Sequence, residues 1–377
     1  MTAELRIAFD EQIFLRQRFG GVSRYICSLA DTLNHRADTS ARIFAPLHIN
    51  QHLASMGLGV SNGHLIPLPN VFGRGPMIRA FRAISAYIGT RQRRSFSPHI
   101  LHETYFTGQA PKALGAARIL TVYDMIHELF PKQFGPTDKT TQYKYASVQR
   151  ADRVICISES TRRDLIRLFG IAEDKAVVVH LGFDPLPEPE AHERLTFADQ
   201  ARPYVLYVGQ RDGYKNFDGL LRAYAASSQL RENFRLMCFG GGSLSRKEQD
   251  LIAELGLDPN CVLQRAGDDG ELASCYRNAA LFVYPSLYEG FGIPPLEAMS
   301  LGCPVACSQT SSIPEVVGDA AVLFDPSDID GIRHAMESVL ESTSLSNTLV
   351  QKGQARSALF SWEECARKTV DVYRQVV

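Results

Sequence analysis

The chain reads as an α/β protein of two doubly wound domains that face each other across a cleft. Three observations predict this. Short apolar runs alternate with longer segments of helical period, as strands and crossover helices do in parallel sheets. At 377 residues the chain exceeds one ordinary core and suits two domains. Near its middle lies Asp184-Pro-Leu-Pro-Glu-Pro-Glu190, which can carry neither a helix nor an inner strand.

In the first half the candidate strands are Leu5–Phe9, Ala41–Phe44, Ile100–His102, Arg118–Val122 and Arg153–Ile157. In the second they are Tyr204–Val208, Arg235–Phe239, Cys261–Gln264, Leu281–Tyr284, Pro304–Ala306 and Ala321–Phe324. Such near-continuous apolar strands need helices over both sheet faces. The expected domains are 1–185 and 203–358, joined by a linker at 186–202. The segment 359–377 is expected to pack back on the first domain as a helix capped by Ser361, with Trp362, the sole tryptophan, as its anchor.

Composition narrows the function. With 45% hydrophobic and 21% charged residues the chain is globular. A net charge of −1 gives no general attraction for nucleic acid. The cysteines lie scattered in apolar runs such as Arg153-Val-Ile-Cys-Ile157, as buried reduced thiols do, and none has zinc-ligand spacing. The start lacks the apolar core of a signal peptide, and no run approaches the ~18–20 apolar residues of a membrane span. A reducing cytoplasm is the expected compartment.

Ligands of doubly wound sheets bind beyond the carboxyl ends of the strands, so the loops there carry the chemistry. The most informative is Ser286-Leu-Tyr-Glu-Gly-Phe-Gly-Ile-Pro-Pro-Leu-Glu-Ala-Met-Ser300. Gly290 and Gly292 let backbone amides approach a ligand, and Pro294 suits the first position of the following helix. With the helix start this turn makes an anion cradle for a diphosphate, although Phe291 also suits a plain core position. Glu289 precedes the turn and Glu297 falls in the helix's expected first turn, so both carboxylates can accept hydrogen bonds from sugar and ribose hydroxyls. Acidic residues also suit a helix N-terminus on charge grounds alone. A second loop, Gly209-Gln-Arg-Asp-Gly-Tyr-Lys-Asn216, offers Arg211 and Lys215 to neutralise a diphosphate leaving group. The cluster Gly240-Gly-Gly242 follows another strand and is equally a plain strand-to-helix turn.

In the first half, Gly20 and Gly21 open a helix and could approach a phosphate, without the dinucleotide G-x-G-x-x-G spacing. His102, Tyr123, Asp124 and His127 stand at or just beyond strand ends, as candidates for sugar or acceptor contacts, Asp124 also as a catalytic candidate; each also suits a structural role.

Together these stretches resemble the GT-B glycosyltransferases, which have two Rossmann-like domains, and in particular the retaining group 1 (family 4) branch. The resemblance rests on Gly20-Gly21, Tyr123-Asp124, Ser158-Glu-Ser160, Gly209 through Asn216, and Glu289-x7-Glu297 around Gly290-Phe-Gly292. It extends to Gly302-Cys-Pro-Val305 and Ile313-Pro-Glu-Val-Val-Gly-Asp-Ala320. It implies that Glu289 contacts the donor sugar, Glu297 the ribose, and that Arg211, Lys215 and the amides of 290–293 hold the diphosphate. It also implies transfer without a metal or cofactor and with retained anomeric configuration. Many relatives have His where Tyr123 stands, and Arg where Tyr214 precedes Lys215. These variants resemble a bacterial subgroup containing mannosyl- and rhamnosyltransferases of surface polysaccharides such as lipopolysaccharide O-antigen. GDP-mannose or a GDP-deoxymannose is the donor so implied, with a saccharide or lipid-linked oligosaccharide as acceptor.

Between Thr39 and His102 there is no Asp or Glu, but many arginines, among them Arg74, Arg79, Arg82, Arg91, Arg93 and Arg94. Met77, Phe81, Ile84 and Ile88 repeat at helical spacing, so Gly75–Arg94 reads as a basic amphipathic helix. Its basic face can meet an anionic membrane or the pyrophosphate of a lipid-linked acceptor; an ordinary core-packed helix explains the pattern too. Rival functions are a nucleotide-sugar epimerase of the same fold, which would carry other acid and base residues, and a non-catalytic nucleotide-sugar-binding scaffold. The intact set Glu289, Glu297 and Lys215 speaks against the scaffold.

Overall fold

The computed structural model describes residues 4–57, 59–61, 63–66, 76–187 and 202–377, with backbone alone for 76–79. Most of the expected linker, 188–201, lies outside them, as do Arg74, Gly75 and the side chains of Met77 and Arg79. The chain divides into two compact units: Met1–Gly182 with Ser361–Val377, and Phe183–Phe360.

Unit 1 carries β1 (Leu5–Phe9), β2 (Thr39–Ile43), β3 (Leu47–His48), β4 (His64–Leu65), β5 (Ile100–Glu103), β6 (Ala117–Val122), β7 (Arg153–Cys156) and β8 (Ala176–Val178). Six of them form one sheet in the order β2-β1-β5-β6-β7-β8. Every pair in it is parallel, from Leu5 opposite Thr39 to Cys156 opposite Val178. The short β3 and β4 pair with each other. Sequence reading missed β3, β4 and β8. Two-residue strands carry no period, and Ala176–Val178 is a three-residue edge strand directly after the charged Glu173-Asp174-Lys175.

Unit 2 carries β9 (Tyr204–Val208), β10 (Arg235–Phe239), β11 (Val262–Arg265), β12 (Leu281–Tyr284), β13 (Val305–Ser308) and β14 (Val322–Phe324). The order β11-β10-β9-β12-β13-β14, parallel throughout, is that of a dinucleotide-type doubly wound sheet. β9, β12 and β13 are buried along their whole lengths. Val205, Phe217, Leu220, Leu236, Val283, Ile332 and Met336 pack one core face. Each sheet reverses its order once, between β1 and β5 and between β9 and β12, and the loops leaving those strands are where a ligand site is expected.

The helix Pro76–Phe96 does not pack through its apolar repeat. Ile84 is 51% exposed and Tyr87 64%, while Ser85, Gly89 and Arg93 form the buried line. Ser85 Oγ donates to the Leu47 carbonyl at 2.9 Å, and a Cβ on Gly89 would meet the Phe44 carbonyl at 3.0 Å. Backbone comes so near that small or polar residues face inward, while Ile84 and Tyr87 are left outside.

The helix Trp362–Tyr373 belongs to unit 1. A Cβ on Gly182 would fall 2.3 Å from the Trp362 ring, which also lies 6.0 Å from Tyr25; Gly182 therefore admits the indole against bare backbone. All eight cysteines are buried and unpaired. Among the described residues no helix is long and apolar enough to cross a membrane.

Candidate functional site

In unit 2 the loops leaving β9 and β12 bring Lys215 and Glu289 together. Lys215 ends a 3₁₀ turn, Gly213–Lys215, and its Nζ lies 2.7 Å from Glu289 Oε1. The two side chains are 18% and 10% exposed. The ammonium also sits 5.3 Å from the Tyr214 ring and 5.7 Å from that of Tyr284, whose faces attract cations. Such a half-buried pair is poised: its attraction is large, but so is the desolvation it must offset.

Several contacts hold the two loops in place. The Leu287 amide donates to the Tyr214 carbonyl at 2.7 Å. Asn216 donates to the carbonyls of Pro285 (3.1 Å) and Pro326 (2.7 Å). Beyond β13, Ser311 accepts from the Glu289 amide at 2.9 Å, and Ser312 donates to the carbonyls of Glu289 and Phe291, both at 2.8 Å. Ser311 takes a left-handed φ of 54°, a conformation that a non-glycine residue keeps only where its surroundings impose it. Sequence reading did not find Asn216, Ser311 or Ser312 as site residues, because their partners lie in other loops.

The turn Gly290-Phe-Gly292 leads into the helix Ile293–Ser300. Gly292 has φ of 120°, open to glycine and strained for other residues. The Phe291 side chain is buried, its ring edge-on to Phe360 at 5.6 Å; only its backbone could serve a ligand. Two expectations change here. Ile293 takes the first helical position, with Pro294 and Pro295 after it, and Glu297 stands in the second turn. Proline has no N–H, so Ile293 alone supplies a first-turn amide and an anion here depends on the preceding turn and on Lys215. Glu297 accepts a hydrogen bond from the buried Tyr276 hydroxyl at 3.0 Å. Burial and then the Glu297 charge push the Tyr276 phenol well up, and Tyr284 is pushed up by burial and then Glu289. Each carboxylate thus has a tyrosine that stays protonated.

Arg211 does something other than expected. Its side chain is 3% exposed and pairs with Glu248 at 2.7 Å. Its other donors reach the carbonyls of Gly240 (2.7 Å), Gly241 (3.3 Å), Gly242 (2.9 Å) and Ser243 (3.0 Å). Three glycines at positive φ turn those carbonyls toward the guanidinium. Here Arg211 clamps the glycine loop and is not presented to a phosphate. Glu248 also closes a capping box with Ser245, a signal legible in Ser245-Arg-Lys-Glu248.

Unit 1 holds a second group of candidates. Gly20 is the N-cap of the helix Gly21–Asn34, which has neither a side-chain cap nor an acidic residue in its first turn. Its amide end therefore keeps its partial positive charge, and a Cβ on Gly21 would meet nothing within 4 Å. Asp124, after β6, accepts from the Ile126 amide at 3.0 Å. The buried Lys144 reaches the Asp124 carbonyl at 2.8 Å and Glu128 at 2.7 Å. His127 stacks on Phe134 at 3.9 Å, and its buried Nδ1 lacks a hydrogen-bond partner. Burial, then Lys144, lowers its pKa.

The other two acceptor candidates are interior. His102 is fully buried; its Nδ1 meets the Tyr373 hydroxyl at 2.7 Å and its Nε2 meets Thr121 at 2.9 Å. Burial lowers its pKa to about 3. It is a neutral core histidine with both nitrogens used, not an acceptor contact. Tyr123 is buried edge-on to Tyr25 at 5.7 Å, its hydroxyl without a partner.

A residue that sequence reading missed is Asp10, directly after β1. Its Oδ1 accepts from the Thr104 hydroxyl (2.6 Å) and amide (3.1 Å), tying the loop after β1 to the one after β5. Its Oδ2 is buried without a partner. Burial, then the charges of Glu11 and Glu103, raise its pKa to about 7. Among the described residues no group of three or more His, Cys, Asp or Glu could hold a metal ion.

The family model "Glycosyl transferases group 1" matches residues 189–356 and "Glycosyltransferase Family 4" matches 19–185. The chain is similar to the O-antigen chain mannosyltransferase B of Escherichia coli, at 31% identity over 310 residues, 79% of this chain and 80% of that protein. Among solved structures it resembles sucrose-phosphate synthase from Thermosynechococcus elongatus, with a TM-score of 0.75 at 21% identity and 99% of each chain covered. It also resembles Anabaena HepE, solved with UDP and glucose, with a TM-score of 0.73 at 17% identity, covering 99% of this chain and 100% of that one. At these identities the two structures speak for the fold alone.

Asp10 gives a pH prediction. Because folding raises its pKa, its contribution is fully present below the unfolded value near 4 and is lost as pH rises through about 7. Asp10→Asn keeps the acceptor for Thr104 and removes the titration. In thermal melts from pH 4.5 to 8 the wild type should lose a few degrees relative to Asp10→Asn. Parallel curves would contradict the assignment.

Proposed function

The chain belongs to the group 1 glycosyltransferases of family 4, and on that premise we propose that it transfers mannose or a deoxymannose from a GDP-sugar. The acceptor is a saccharide or lipid-linked oligosaccharide, and the product a surface polysaccharide of the O-antigen kind. The observation that carries the donor assignment is the Lys215–Glu289 pair at the β9/β12 reversal, 2.7 Å apart. Similarity to an O-antigen chain mannosyltransferase supports the sugar and the pathway class.

In this reading an arriving diphosphate takes Lys215 from Glu289, and the released carboxylate accepts hydrogen bonds from the sugar hydroxyls. Glu297, oriented by Tyr276, accepts from the ribose hydroxyls. The bond from the anomeric carbon to the phosphate oxygen breaks while the acceptor oxygen bonds to the same face. The acceptor's proton passes to the departing phosphate, so no side chain acts as nucleophile, configuration is retained, and neither metal nor cofactor takes part. Lys215 stabilises the charge that grows on the leaving group. In unit 1 the residues assigned to the reaction are Asp124, held by its bonds to Ile126 and Lys144, with Gly20 and Gly21.

A thermal-shift screen against GDP, UDP, ADP and dTDP tests the donor class. Saturation at about a hundred times Kd adds roughly 2.7 kcal/mol, a shift of a few degrees, and GDP is the expected ligand. A shift with UDP alone would replace the mannose reading. Glu289→Ala should lower transfer at least a hundredfold in a folded protein; full activity would remove the donor site from this pair.

We further propose a peripheral, cytoplasmic-face contact with anionic membrane through residues 74–94. Its support is the exposure of Ile84 and Tyr87 on a helix that also carries Arg82, Arg91 and Arg94. Sedimentation should show binding to anionic but not neutral liposomes; equal, negligible binding to both would end the membrane proposal.

A further inference from the structure

A cavity of about 760 Å³ lies within unit 1, between the loop after β1, the loop after β5 and the helix Pro76–Phe96. Its charge is one-sided. Arg16, Arg82, Arg91, Arg94 and Lys112 line it. The lining carboxylate, Glu11, is already paired with Arg93 at 3.1 Å, both side chains 1% exposed. Among the described residues none of those five cations has a carboxylate within 4.0 Å.

Two further observations show that this is more than a solvated basic face. Arg93 lines the cavity too; its Nη1 and Nη2 engage Glu11 and Thr90, but its buried Nε lacks any partner. A buried N–H left unmade is costly, and Arg93 contributes that unmet donor to the cavity wall. Arg82 and Arg16 stand close enough that, after burial, Arg16 is the next cause lowering the Arg82 pKa. Gathering like charges around a concavity is unfavourable until an anion enters it.

The shape and lining narrow the class of anion. Guanidinium groups match phosphate oxygens bidentately. Apolar surface is present as well: Ala83, Ala86, Tyr87 and Pro111 also line the cavity, whose volume falls in the range of small-molecule sites. A phosphate with an organic substituent fits both walls better than a bare ion.

We propose that this cavity binds the phosphate or diphosphate end of the acceptor, with the attached group against Tyr87. The proposal rests on reading unit 1 as the acceptor-binding unit, and it assigns this anion a place separate from the donor diphosphate, which belongs to Lys215 in unit 2. Lipid-linked and free sugar phosphates share the recognised chemistry.

Calorimetric titration of the full chain with inorganic pyrophosphate tests it. Pyrophosphate should still bind Lys215→Ala, in which the donor diphosphate contact is removed, and should bind at least tenfold more weakly once Arg82→Ala/Arg91→Ala is added to it. Both arginines lie on the exposed side of their helix, so adding the two substitutions should leave the melting temperature unchanged. Binding by the wild type that is lost in Lys215→Ala would put the anion in unit 2 and overturn the proposal. No binding to either of those two proteins, with anionic vesicles still bound, would reduce the basic residues to a membrane surface and overturn it equally. In competition with pyrophosphate, a soluble prenyl diphosphate winning over a hexose 1-phosphate identifies a lipid carrier, and the reverse order a free sugar phosphate; displacement by either supports the site. Failure of the donor assignment would show in the nucleoside diphosphate screen and leave this titration unchanged.

Discussion

The contact between Lys215 and Glu289 is where the constraints of unit 2 converge. The two residues are far apart in sequence and meet because β9 and β12 are neighbours at the one place where the sheet reverses its order. Crossover helices must leave such a reversal on opposite faces, which opens a crevice at the strand ends. The surrounding loops hold both members through backbone groups: Asn216 fixes the lysine loop, and Ser311 and Ser312 fix the glutamate. The scaffold thus restrains the backbones and leaves the two charged tips to each other. Removing one partner would strand a half-buried charge, which is why such pairs are sensitive to what binds beside them.

Unit 1 solves a similar problem with different means. Its reversal lies between β1 and β5, and the loops leaving those strands are tied by Asp10 and Thr104. Polar groups run through its interior: His102 with Thr121 and Tyr373, and Arg93 with Glu11. The first set is closed, with both imidazole nitrogens engaged. The second is incomplete, since Arg93 Nε lacks a partner, and it borders the basic cavity. A fully satisfied buried network rigidifies a core, whereas an unmet buried donor costs stability.

Much of the fold was legible because fully buried parallel strands write themselves as apolar runs. β1, β9, β10 and β12 begin and end at the residues where those runs do. The strand ends then located Glu289 and Lys215 without knowledge of their contact. Reading failed where a residue's partner was remote. A cation after a strand looks the same whether it faces a ligand or a glycine loop, and Arg211 is decided by Glu248 and the carbonyls of 240–243. His102 is decided by Tyr373, near the other end of the chain. The helix Pro76–Phe96 hid its inward face for another reason. Its apolar period is real, but the closeness of the Phe44 backbone chose the glycine-bearing face.

The most direct test of the central claim is nucleoside diphosphate affinity, measured calorimetrically in Lys215→Met and Glu289→Gln. If the pair is an exchangeable contact, Lys215→Met should bind at least tenfold more weakly, about 1.4 kcal/mol or more. Glu289→Gln should bind the same ligand as tightly as the wild type or more so, since the lysine no longer has a competing carboxylate. Equal losses in both variants would contradict this, and would make the pair a structural strut of the loops.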